Sequence, residues 1–175
     1  MSRENSGDFW TARDGGGGEE DLRGALGEEV QAGQAAVDAF DEAVAVCLGV
    51  NRTDLRCLEV LIRRETVTPS VLGGELGLTT GSVTAMLDRL ERAGYLTRSP
   101  DPGDRRKVVV RATRETRDRV AELYGPIVER GGRVAANYTD AELRIVLDFL
   151  RRSRGLYESE VERVRGLPAA GRRRV

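Results

Sequence analysis

At 175 residues, 39% hydrophobic and 33% charged, the chain has the length of one domain with tails and enough apolar material for a core. Its net charge of −1 argues neither for nor against a nucleic-acid partner. The absence of histidine removes the commonest metal ligand and general base. The two cysteines, Cys47 and Cys57, lack CxxC spacing, so no zinc site or disulfide framework is implied and no cofactor is expected. The start, MSRENSGDFW, has no apolar leader and no run of about 18 apolar residues occurs, which predicts a soluble, cytoplasmic protein with no membrane partner.

Charge is distributed unevenly. Residues 1–51 hold three arginines against eleven acids, residues 52–112 eleven basic residues against eight acids, and residues 113–175 fourteen against ten. The acidity sits in the N-terminal third, and arginine supplies nearly all the positive charge, Lys107 being the only lysine.

Residues 1–24, with DGGGGEED, bury too little to offset ordering entropy and are expected to form a mobile tail in which Phe9 and Trp10 are the apolar exceptions. From residue 25 to 50 the pattern is helical: Leu26, Val30, Gly33, Val37, Phe40, Val44 and Cys47 recur at spacings of 4 and 3, and Gly49 can end the helix. A second helix is expected from a Thr53 cap, with Leu55, Leu58, Leu61 and Ile62 inward. A short third follows, with Thr68 as cap, Pro69 at its first position, Leu72 and Leu76 inward and Gly77 as breaker. The next is capped by Thr79, buries Val83, Met86, Leu87 and Leu90, and stops at Gly94. YLTRS and KVVVRA read as strands joined by the turn PDPGDR, with Val108 and Val110 on one face and Val109 on the other.

Residues 113–167 predict two more helices. One follows Thr113 over Thr116 to Arg133, with Pro126 expected to kink or break it. The other starts at Thr139 and carries Leu143, Leu147, Leu150, Tyr157, Val161 and Val164 in a second 4,3 register. Residues 168–175, ending GRRRV, read as a basic tail. The fold class is therefore mainly α with a small β-hairpin wing: a winged helix-turn-helix over residues 51–112 between N- and C-terminal helices.

The stretches GELGLTTGSVTAMLDRLERAGYL and DPGDRRKVVV closely resemble the core of the MarR family of bacterial transcriptional regulators, over about Thr53 to Thr113. The chain departs from that pattern at Ala85, where many members carry a polar or basic residue, and at Thr116, where the family usually has glycine. In a helix-turn-helix the N-terminal part of the second helix enters the major groove of double-stranded DNA, and here it displays Thr79, Thr80, Gly81, Ser82 and Thr84. Their hydroxyls can bond base edges or phosphates, and the glycine allows close approach. Arg89, two turns on, is the nearest candidate for bidentate base reading. Arg106 holds the wing position the family uses for the minor groove, Arg105 and Lys107 would reach phosphates, and the resemblance lets Asp88 and Asp104 each orient a wing arginine.

The resemblance further implies a homodimer that acts as a repressor on a pseudo-palindromic operator, with Leu26, Val30, Val37, Leu147, Leu150, Tyr157 and Val161 at the dimer interface. It also implies a small-molecule effector site lined by Phe40, Val44, Leu55, Leu58, Leu123 and Tyr124. Two other readings stand beside this one. A winged helix can serve as a protein-interaction module without binding DNA, and Cys47 or Cys57 could make the regulator a redox sensor. An enzyme is not expected: there is no Gly-x-Ser-x-Gly elbow or P-loop, and neither GGELG nor Gly15–Gly18 has the strand-loop-helix context of a phosphate loop.

Overall fold

A computed structural model describes residues 21–168; Phe9, Trp10, Gly15–Gly18 and the terminal GRRRV lie outside them. Its elements run α1 (Leu22–Leu48), α2 (Arg52–Arg64), α3 (Pro69–Leu76), α4 (Thr80–Arg92), β1 (Leu96–Pro100), β2 (Val108–Ala112), α5 (Arg114–Ala135) and α6 (Asp140–Arg165). The chain divides into two compact units between Ala121 and Glu122, within α5.

Local chemistry sets most boundaries of the first unit. Asp21 accepts the N–H groups of Arg23 and Gly24, so α1 starts ahead of the expected residue 25. Gly49 and Gly77 close α1 and α3 with φ of 66° and 65°, a region glycine enters without steric cost. Pro69 occupies the first turn of α3, where its missing N–H loses nothing. The α2 cap is Asn51, not Thr53: its side chain accepts the Asp54 N–H at 2.9 Å. Asparagine is the stronger cap residue, and starting there places Thr53 inside the helix.

The core of this unit lies between α2, α3, α4 and the hairpin. Leu58, Leu61, Leu72, Val83, Met86, Leu87, Leu90, Leu96 and Val110 form one buried cluster. Burying each such side chain contributes roughly 1.5–3 kcal/mol. Gly73 lets α3 and α4 meet closely, because a Cβ there would stand 3.2 Å from the Leu78 carbonyl oxygen and 3.3 Å from Val83. α1 is buried only near its C-terminus, at Val44, Ala45 and Leu48. Arg52 ties it to α2 through Asp38 at 3.0 Å and Asp41 at 3.1 Å.

β1 and β2 pair antiparallel, with Leu96 opposite Ala112 and Arg98 opposite Val110. The other edge of β2 also pairs, since Val67 and Val110 exchange both backbone hydrogen bonds. The expected alternation is only partly realised: Val109 and Val110 are both buried while Val108 is exposed. Thr97 near the base and Pro100 and Val108 near the tip stand exposed.

Thr113 accepts the Thr116 N–H and opens α5. The helix runs unbroken through Pro126 to Ala135, so the expected break does not occur; three regular turns on the N-terminal side and two on the other hold the helix across the missing N–H. In the second unit Thr139 and Glu142 form a reciprocal capping box at the start of α6. α6 buries no residue within this chain, and Leu147, Leu150, Tyr157, Val161 and Val164 all stand exposed.

Candidate nucleic-acid interface

The first turns of α4 present one exposed surface made of Thr80, Gly81, Ser82, Thr84 and Ala85, while Val83, Met86 and Leu87 point into the core. Helical spacing separates the two sets. Thr79 caps the helix, its Oγ accepting the Ser82 N–H at 3.3 Å and sharing a hydrogen bond with the Ser82 hydroxyl at 3.0 Å. Thr84 donates its hydroxyl to the Thr80 carbonyl at 3.0 Å. Two of these hydroxyls thus satisfy the helix itself, and each keeps acceptor capacity for an outside donor. A Cβ on Gly81 would meet no atom within 4 Å, so nothing in the fold requires glycine there.

The wing turn is shaped by two aspartates. Asp101 Oδ1 accepts the N–H groups of Gly103 at 2.7 Å and Asp104 at 3.2 Å, and Asp104 Oδ1 accepts that of Arg106 at 3.1 Å. Backbone bonds from Asp101 N–H to Lys107 and from Lys107 N–H to Asp104, both 2.8 Å, close the turn. Arg105, Arg106 and Lys107 stand exposed on this pinned loop. Asp104 therefore holds the Arg106 main chain and the Lys107 ammonium, at 3.7 Å, rather than the Arg106 guanidinium. Asp88 meets an arginine of the wing strand, not of its tip: its carboxylate pairs with Arg98 on β1 at 2.7 Å, as expected of a residue that orients a wing arginine, beside Glu91 at 3.6 Å.

Arg89 turns towards α2. Its Nε donates to Asp54 Oδ2 at 3.0 Å and its Nη2 to Oδ1 at 2.6 Å. Those bonds raise the guanidinium above its ordinary pKa. In the sequence Asp54 is an ordinary acid in the first turn of a helix and gives no sign of this role. Tyr95 carries no signal in the sequence either, and Thr116 stands out there only as a departure from the family's glycine. The Thr116 hydroxyl donates to the Tyr95 carbonyl at 2.9 Å, a bond glycine could not make.

Among the effector-site candidates, Val44, Leu55 and Leu58 are buried in the first unit and Phe40 is half-buried there; Leu123 and Tyr124 belong to the second. Cys57 is fully buried, and burial, with Asp54 adding, pushes its thiol up to about 12, which suppresses the reactive thiolate; Cys47 is exposed. Among the described residues no cluster of three metal-ligating side chains occurs and no helix is long and apolar enough to cross a membrane.

The MarR family model matches residues 48–107, the span that holds α2 to the wing turn. The chain is 37% identical over 126 residues to the uncharacterized HTH-type transcriptional regulator YcgE of Bacillus subtilis, covering 72% of this chain and 82% of that protein. The chain belongs to the MarR family. This MarR protein is a DNA-binding transcriptional regulator. The fold agrees with solved structures. NadR in complex with 4-hydroxyphenylacetate gives a TM-score of 0.54 at 20% identity, over 80% of this chain and 96% of that one. A mutant MarR from E. coli complexed with operator DNA gives 0.51 at 23% identity, over 74% and 93%.

Proposed function

We propose that this MarR protein acts as a homodimeric repressor on a pseudo-palindromic operator and is released from it by a small-molecule effector. The observation that carries the reading is the pairing, on one winged lobe, of an exposed hydroxyl-and-glycine surface at the start of α4 with arginines on a pinned turn. Thr79, Thr80, Gly81, Ser82 and Thr84 meet the major groove, and Arg106 enters the minor groove with Arg105 and Lys107 on phosphates. The solved MarR–operator complex supports the DNA partner by likeness of fold, and NadR with its aromatic acid supports the effector. The exposed apolar side chains Leu26, Val37, Leu147, Leu150, Tyr157 and Val161, with half-buried Val30, support a partner copy, since water is a poor neighbour for so many of them.

Footprinting on the DNA upstream of its own gene tests this. The expected result is a protected palindrome with half-sites about 10 base pairs apart, which aromatic acids such as 4-hydroxyphenylacetate or a wider ligand panel weaken. Protection that ignores sequence, or a monomer in sedimentation, overturns it.

A further inference from the structure

The strongest directional contact on α4 lies away from its exposed N-terminal surface. Asp54 keeps only 3% of its side chain in contact with solvent, so its carboxylate needs a partner that meets both oxygens. The Arg89 fork does so, with bonds of 3.0 and 2.6 Å across 35 residues of sequence. A bidentate fork fixes angle as well as distance. The apolar contacts of Val83, Met86, Leu87 and Leu90 carry no such direction, because hydrophobic attraction depends on area and not on orientation.

The opposite flank of the same half-helix is held in kind. Arg98 on β1 pairs with Asp88 at 2.7 Å, and its N–H donates to Glu91 at 3.1 Å. The C-terminal half of α4 is thus tied to α2 on one side and to the wing strand on the other. Its N-terminal half projects beyond these ties by about 10 Å, at 1.5 Å per residue. A small tilt at Arg89 therefore swings Thr80, Gly81, Ser82 and Thr84 together.

We propose that Asp54 and Arg89 form the mount that sets the pose of α4, and that Arg89 serves DNA recognition as a positioning residue through Asp54 and not by touching a base. This rests on the DNA reading of α4 given above. It separates two roles that a solvent-facing arginine on a recognition helix would otherwise combine, since the charge of the half-exposed Arg89 is largely offset by the carboxylate it is paired with.

The test uses the full chain and a duplex enriched by the wild-type protein from a random-sequence library. Asp54→Asn and Arg89→Gln each weaken binding about ten-fold, and the double variant binds no worse than the weaker single one, since the two residues act as a unit. The slope of log affinity against log salt stays at the wild-type value in all three. Arg89→Lys, which keeps the charge and loses the fork, does not restore affinity. The proposal is overturned if Arg89→Gln lowers the slope by about one while Asp54→Asn binds as well as wild type. Should Asp54→Asn not fold, the double variant, which removes both charges, is compared with Arg89→Gln on the same axes. If the wild-type protein enriches no duplex, the DNA reading falls and the mount is judged by amide exchange: faster exchange over Thr80–Leu87 with α1 unchanged in the Arg89→Gln variant upholds it, and unchanged exchange in α4 overturns it.

Discussion

The hydroxyl of Tyr95 donates a hydrogen bond to the main-chain carbonyl of Leu48. Leu48 is the last residue of α1, where carbonyls lack partners within the helix, and Tyr95 follows the turn that ends α4. The Tyr95 carbonyl in turn accepts from the Thr113 N–H at 3.0 Å and the Thr116 hydroxyl at 2.9 Å. One residue therefore joins the end of α1, the end of α4 and the start of α5. Tyr95→Phe leaves the ring and removes the donor, and is expected to cost about 1 kcal/mol. Urea unfolding should show a lower midpoint at unchanged slope; an unchanged midpoint refutes the contact's worth.

Gly81 offers a test in which stability and binding move in opposite directions. It lies in the first turn of α4 with open space where its Cβ would be. Alanine should favour the helix by up to about 1 kcal/mol and raise the melting temperature. The added methyl should nonetheless weaken duplex binding, because it stands where the DNA backbone or a base edge approaches. A variant that is both more stable and fully competent in binding would show that nothing comes close to this face.

At the wing, Arg106→Ala should weaken duplex binding and lower the salt slope by about one, the mark of a lost contact to the phosphate-lined groove. Asp104→Asn should do less, since an asparagine oxygen can still accept the Arg106 N–H that shapes the turn. Binding titrations across a salt series distinguish the two. An Arg106→Ala slope equal to wild type would remove this side chain from the interface.

The two cysteines should separate cleanly in reactivity. Cys57, buried and with its thiol pushed up to about 12 from 9.0, keeps its proton through the physiological range, whereas Cys47 is exposed. Because the folded value is the higher one, this thiol's contribution is fully present below pH 9 and is lost as pH rises towards 12. Alkylation at pH 8 followed by mass spectrometry should label Cys47 promptly and Cys57 only after denaturation. Prompt labelling of Cys57 in folded protein would contradict the packing around it.

Much of the first unit was legible because its signals are local. Thr68 and Thr79 announce helix starts within three or four residues, as Thr139 does in the second unit, and Pro69 and the Asp101–Asp104 turn need only their neighbours. Asn51 went unread because Thr53 matches the same capping signal two residues later, and geometry alone separates them. The partner of Arg89 was not legible at all. A solvent-facing arginine on a reading helix and one locked to a carboxylate 35 residues away have the same sequence signature, and only the fold brings Asp54 beside it. The pairing of Val67 with Val110, which buries a strand expected to alternate, is hidden for the same reason.

Glu142 gives a pH-dependent element. Hydrogen bonds from the Thr139 side chain, and then from its backbone, hold the Glu142 carboxyl below its ordinary value. A carboxylate lowered in the folded state stabilises above its unfolded pKa and loses that contribution as pH falls through the folded one. The start of α6 should therefore fray on acidification below the ordinary glutamate range, and Glu142→Gln should remove that pH dependence. Amide exchange at Asp140–Leu143 between neutral and acid pH reads this directly, and an identical acid response in the variant would count against it.

The hairpin has a further consequence for how two such lobes could crowd together on one duplex. β2 is bonded to β1 along its length and, on its other side, to Val67 at Val110, while β1 presents its outer edge beside α4. Along that edge the Arg98 N–H is already taken by the Glu91 carboxylate, and the strand finishes at Pro100, which has no N–H to give. A neighbouring strand would find no run of vacant donors to template on. The β1 side of the basic wing therefore offers a twin little to zip onto.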